Sequence, residues 1–157
     1  QDMHNHVQLL SPSETPVHAV NSWDLDFLKL YLIEKVPTVP IPAEGVREYR
    51  RFVALTLMNE GSCVPSKIID EIWHAHILHS KDYVSFSRAL GVDYIHHRPS
   101  QSSENEVLEV EYSQTLDRYM SIFGEVPNPI IWPRSENAIC QDTPPGKDCR
   151  GDCNADG

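Results

Sequence analysis

The densest concentration of reactive side chains is Asp70-Glu71-Ile72-Trp73-His74-Ala75-His76-Ile77-Leu78-His79, followed by Tyr83 and then His96-His97. Five of the eight histidines fall between positions 74 and 97. Neutral imidazole is the commonest protein ligand for transition metals, and carboxylates complete such sets. The chemistry to expect is therefore metal binding, with iron, zinc or copper all compatible with nitrogen-rich ligation.

Helix geometry restricts how these groups can combine. At about 100° per residue, Asp70 and His74 share one face, and His76 and His79 share another. His74 and His76 project about 160° apart, so a regular helix cannot aim both at one ion. Two arrangements remain open. In one, His76 and His79 supply two ligands, His96 or His97 completes the set from the following loop, and Tyr83 is a ligand or a neighbour. In the other, Asp70 and His74 supply two ligands and the same loop completes them. The metal candidates are thus His76, His79, His97 and His96, with Asp70, His74 and Tyr83 as candidate catalytic or supporting groups. Either set leaves an open coordination position, as catalysis requires. The competing reading is a non-catalytic interaction domain, in which the histidines, Trp73 and Tyr83 form a hydrogen-bonded polar core. Whether the chain is an enzyme stays open at this level.

Other motifs carry less. Cys63 precedes a helix start and reads as a small buried residue rather than a nucleophile. Asp152, Asn154, Asp156 and Gly157 match the opening of an EF-hand loop, but the bidentate carboxylate six residues beyond the glycine is not in the sequence. Cys149 and Cys153 have no second pair at zinc-finger spacing, and Cys140 adds no unique pairing. No nucleophile elbow or glycine-rich phosphate loop is present.

The elements that must position the histidines are helical. Trp23, Leu25, Leu28, Tyr31 and Leu32 recur at helical steps, predicting a first helix from about Ser22 to Lys35 that ends at the proline-rich run 37–42. A second is expected over about 44–60, with Val46, Tyr49, Phe52 and Val53 on its buried stripe and Gly61 as terminator. The third, over about 65–90, carries the histidines and stops at Gly91. The fourth covers about 103–123 and stops at Gly124. Val107–Tyr112 alternates enough to suggest a strand, but its flanks favour helix. The expectation is an all-α fold: a single compact domain of about four main helices, with an irregular N-terminal arm (1–20), a helical histidine-motif domain (21–135) and a Cys/Asp-containing tail (136–157).

Bulk properties narrow the partners. The formal charge of −10, from 23 acidic and 13 basic residues, disfavours nucleic acid and anionic lipid. No apolar run approaches the roughly 20 residues needed to span a bilayer. A small-molecule or peptide substrate and a cytoplasmic location are the working expectations.

The run from Asp70 to Leu78, together with Tyr83 and Tyr94-Ile95-His96-His97-Arg98-Pro99, resembles the glycine-rich domain-containing protein-like family. Thr115, Tyr119, Phe123-Gly124 and Trp132-Pro133 look like that family's closing segment, and the resemblance covers about residues 20 to 135. Its most specific part is D-x-x-W-H-x-H. The resemblance implies that His79 is a position where aspartate can stand, favouring the His76/His79 face. It also implies that Ser87 occupies a position often held by cysteine.

Overall fold

The computed structural model describes residues 15–58, 63–97 and 105–134, and all its regular elements are α-helices. Six are present: α1 Pro16–Asn21, α2 Asp26–Lys35, α3 Pro42–Met58, α4 Lys67–Leu78, α5 Ser80–Ala89 and α6 Asn105–Phe123. The all-α expectation holds, and Val107–Tyr112 is helical. The expected 65–90 helix is split into α4 and α5, the helix expected from Ser22 begins only at Asp26, and α1 stands ahead of it. Gly61 and the residues after 134, including Cys140, Cys149, Cys153 and the calcium-loop-like segment, lie outside the described residues.

Ser22 was expected to open a helix. It caps the end of α1 instead, its hydroxyl donating to the His18 carbonyl at 2.8 Å. The α1 helix starts on Thr15, whose hydroxyl accepts from the His18 amide, with Pro16 in the first turn where its missing N–H costs nothing. The Asp24 carboxylate accepts from the Asp26 amide at 2.9 Å and opens α2. Arg50 of α3 ties the junction down, donating to the carbonyls of Val20 at 2.7 Å and Trp23 at 2.6 Å.

The central element is α3, which packs against α1, α2, α4 and α6. Its residues Val46, Tyr49, Phe52 and Val53, spaced by three and four, are all buried. Gly45 permits the close approach of α4: a Cβ there would meet Ile72 Cδ1 at 2.8 Å.

A buried carboxylate holds the far side. Glu48, only 2% exposed, accepts from Tyr119 Oη of α6 at 2.7 Å and from Trp132 Nε1 at 3.1 Å. Arg51 lies 3.8 Å from the other Glu48 oxygen and also donates to Tyr119. Charge-assisted bonds of this kind make a desolvated carboxylate tolerable, and they fix α6 and the 126–134 segment to α3. The Val64 amide donates to Thr115 Oγ1 at 3.0 Å, which links the approach to α4 with α6.

The split in the expected 65–90 helix separates α4 from α5 at His79, with φ −84° and ψ 62°. Its cause is local. His79 Nδ1 donates to the Ala75 carbonyl at 2.8 Å, taking the acceptor that its own backbone N–H would use. The His79 amide turns to the His76 carbonyl at 3.0 Å, and the chain restarts as α5. At the other end, the Ser66 hydroxyl caps α4 by accepting from the Ile69 amide. Gly91 (φ 86°) ends α5, and Gly124 (φ 66°) ends α6, both as the sequence suggests.

Two outcomes follow from this core. Trp73 is 6% exposed and packs against Phe52. Trp73→Ala should therefore lower unfolding free energy by roughly 3–5 kcal/mol in urea titration. Burial also raises the phenol pKa values of Tyr49, Tyr83, Tyr112 and Tyr119, the last to about 12. A raised folded value means the unfolded chain loses its proton first. The contribution is complete below the unfolded value of about 10 and is lost as pH rises from there through the folded values. The urea midpoint should fall between about pH 9 and pH 11; an unchanged midpoint would mean that these phenols are not desolvated.

Candidate metal centre

Asp70 and His74 lie one turn apart on α4, and His97 reaches them from the loop that follows α5. His97 Nε2 is 2.6 Å from Asp70 Oδ1, and His74 Nε2 is 3.8 Å from Asp70 Oδ2. One ligand atom from each residue lies within 4.8 Å of the other two, and this is the only such group of three among the described residues. Asp70 is buried, while the His74 and His97 side chains keep 19% and 12% of their exposure. The cluster is lodged in the surface and open to solvent on one side.

Two ligands held 2.0–2.2 Å from one ion sit roughly 3–3.6 Å apart. The Asp70–His97 contact is shorter than that and the Asp70–His74 contact slightly longer, so the group could hold an ion once its side chains shift. Two imidazole nitrogens and a carboxylate oxygen are suitable donors for a divalent transition metal. The proton that His97 Nε2 shares with Asp70 stands where an ion would bind, so uptake must compete with that proton.

The loop is held by a chain of hydrogen bonds through the core. Trp73 Nε1 donates to Tyr83 Oη at 2.9 Å, and Tyr83 Oη donates to the Ile95 carbonyl. Ser87 Oγ donates to the Tyr83 carbonyl at 2.9 Å and accepts from the Ile95 amide at 3.4 Å. Ile95 is buried, and His97 lies two residues further on. The His97 ring rests against Trp73 with centroids 4.4 Å apart and beside His74 at 4.5 Å. Tyr83 thus acts from within the core, through the backbone of the loop.

His76 and His79 occupy the opposite side of α4 and have other partners. His76 is fully buried; its Nδ1 is 2.7 Å from Tyr49 Oη and its Nε2 is 2.8 Å from Asp82 Oδ2. An ionised carboxylate only accepts, so Nε2–H donates to Asp82 and Nδ1 accepts from the Tyr49 hydroxyl. Burial lowers the His76 pKa, although the Asp82 hydrogen bond opposes it. His79 uses Nδ1 on the Ala75 carbonyl and packs against Phe27 and Tyr31. His96 is exposed beside Tyr94. The structure therefore brings Asp70, His74 and His97 together and does not join His76, His79 or His96 to them. His76 and His79 leave the opposite side of α4 with His76 committed to Tyr49 and Asp82 and His79 Nδ1 to Ala75, while His96 points to solvent beside Tyr94.

Asp82 is a residue that sequence reasoning passed over. On an unbroken helix it would lie about 120° from His76, out of reach. The break at His79 brings it round. Its place in the first turn of α5, where acidic residues favour a helix start, was the one available signal.

No helix among the described residues is long and apolar enough to cross a membrane. None of the curated proteins and none of the solved structures compared with the chain matches it. A family model does match, and it corrects the resemblance to the glycine-rich domain-containing protein-like family. That resemblance rested on a few motif residues alone. What it implied for His79 and Ser87 goes with it; Ser87 instead ties the 92–97 loop to α5. Over residues 42–119, the stretch from α3 through α4, α5 and the His97 loop into α6, the chain is similar to the UCP032817-like family.

Proposed function

We propose that this is a metal-dependent enzyme domain in which Asp70, His74 and His97 hold one divalent transition metal. The observation that carries the reading is the convergence of two imidazoles and a carboxylate from a helix and a separate loop. Three protein ligands leave further coordination positions for water or substrate, the condition for Lewis-acid or redox chemistry. Two histidines and one carboxylate with open positions are the donors used by non-haem iron(II) oxygenases. Zinc with a similar set supports hydrolysis. Iron, zinc and copper all suit the donors, and the partly open cluster suits a small-molecule or peptide substrate.

A second reading has its own observation. The 2.6 Å contact between His97 and Asp70, with the His97 ring packed on Trp73, satisfies these groups without an ion. On that reading the domain is a scaffold with a structural histidine cluster.

Elemental analysis of untagged protein loaded with iron(II) or zinc separates them. The enzyme reading expects about one equivalent per chain, removable by chelator. His74→Ala and His97→Ala should each weaken uptake by about 100-fold or more, while the exposed His18→Ala should leave it unchanged. His76→Ala should keep the equivalent and lower stability, because Tyr49 and Asp82 lose their shared partner. Retention in His74→Ala with loss in His76→Ala would move the ion to the other face of α4. Tyr83→Phe should weaken affinity roughly ten-fold at unchanged stoichiometry, since it frees the loop but removes no ligand. No bound metal under any loading condition would leave the scaffold reading.

A further inference from the structure

A second concavity lies on the other side of α4, where α2 meets the start of α5. It encloses about 690 Å³ and is lined by Trp23, Phe27, His79, Ser80, Lys81, Asp82 and Ser85. That volume falls among those of ordinary small-molecule sites.

Asp82 gives the groove its character. Its side chain is one-third exposed. Oδ2 accepts from His76 Nε2 at 2.8 Å and from Trp23 Nε1 at 3.3 Å. Both donors approach the same oxygen, which fixes the carboxylate in direction. Its other oxygen, Oδ1, accepts no hydrogen bond among the described residues and is left for a donor from outside. Exposed Lys81 also lines the groove, but its ammonium is on a long stem in water, where attraction across the surface is weak and screened.

The walls add a second element of recognition. Trp23 and Phe27 present aromatic surface beside that carboxylate, and ring faces attract cations. His79 donates through Nδ1 to Ala75, so in its neutral form Nε2 is an acceptor as well. An anchored carboxylate, an imidazole acceptor and two aromatic walls complement a ligand that carries a positive charge, N–H donors and an apolar body.

We infer that this groove binds an organic ammonium, seating its charged nitrogen on Asp82 and its apolar body against Trp23 and Phe27. The site shares none of its residues with the Asp70–His74–His97 cluster and does not depend on an ion being bound there. The juxtaposition exists because α4 breaks at His79, which turns Asp82 back toward His76 and the N-terminal end of α2.

Benzylammonium is a suitable probe, and benzyl alcohol is its neutral counterpart. The readout is the indole N–H resonance of Trp23, assigned by its loss in Trp23→Phe, because that N–H is bonded to the carboxylate itself. On the full chain in the presence of chelator, benzylammonium should shift this resonance saturably, with a dissociation constant of about 1 mM or tighter. Benzyl alcohol should bind at least about ten-fold more weakly, and Asp82→Asn should weaken benzylammonium by a similar factor. Equal binding of the charged and neutral probes would overturn the inference, as would no saturable shift up to about 50 mM. The two-probe comparison on the wild-type chain decides the question even if Asp82→Asn folds poorly.

Discussion

The rotation of an α-helix by about 100° per residue is the constraint from which the chemistry of this domain follows. With His74 and His76 two positions apart on α4, their side chains must leave the helix in nearly opposite directions. The sequence packs five histidines into a short stretch, yet the backbone forbids them to form one cluster. α4 therefore divides them. One face meets the loop that carries His97, and the other meets α2, Tyr49 and Asp82. The two sides differ in solvation as well as position. Asp70, His74 and His97 keep some access to water, whereas His76 has none. An imidazole with both nitrogens bonded inside protein is poorly placed to exchange a partner for an ion. One at a wet surface can.

The break at His79 is the second determinant, and it arises from a single side chain competing with the backbone. No proline or glycine marks it. The Nδ1–H of His79 takes the Ala75 carbonyl, the helix loses one of its regular bonds, and α5 leaves in a new direction. Its consequences reach both faces. Asp82 is carried to His76 on one side, and Tyr83 is carried beneath the 92–97 loop on the other. A histidine that would read as a candidate ligand on a straight helix acts here as the device that bends the chain.

This explains what could be read from the sequence. The helical character was legible because apolar residues at three- and four-residue steps, with Gly91 and Gly124 as stops, are local signals that packing did not override. The pairing of Asp70 with His74 was legible as a four-residue step, but only as one of two alternatives. The choice of face for His97 is tertiary: it depends on Tyr83 and Ser87 holding Ile95, and no spacing rule encodes that. The role of Ser22 as the end of one helix and not the start of another was hidden because serine caps either end, and here its hydroxyl turns back to His18. Asp82 escaped notice because its role exists only once the helix is broken.

The two faces of α4 are chemically separate but mechanically joined. Trp73 connects them, its indole N–H on Tyr83 and its ring against His97. Tyr83 also stands edge-on to His76, with ring centroids 5.1 Å apart. A displacement of Tyr83 therefore cannot be confined to one side. Moving its hydroxyl disturbs the Ile95 carbonyl and the approach of His97, and moving its ring disturbs the wall behind His76. Both residues are buried among large side chains, where close packing allows few intermediate positions. The far side of the domain is anchored independently through Glu48, Tyr119 and Trp132, so such a shift would be taken up mainly by the 92–97 loop and the start of α5. Those are the segments that supply His97 to one site and Asp82 to the other.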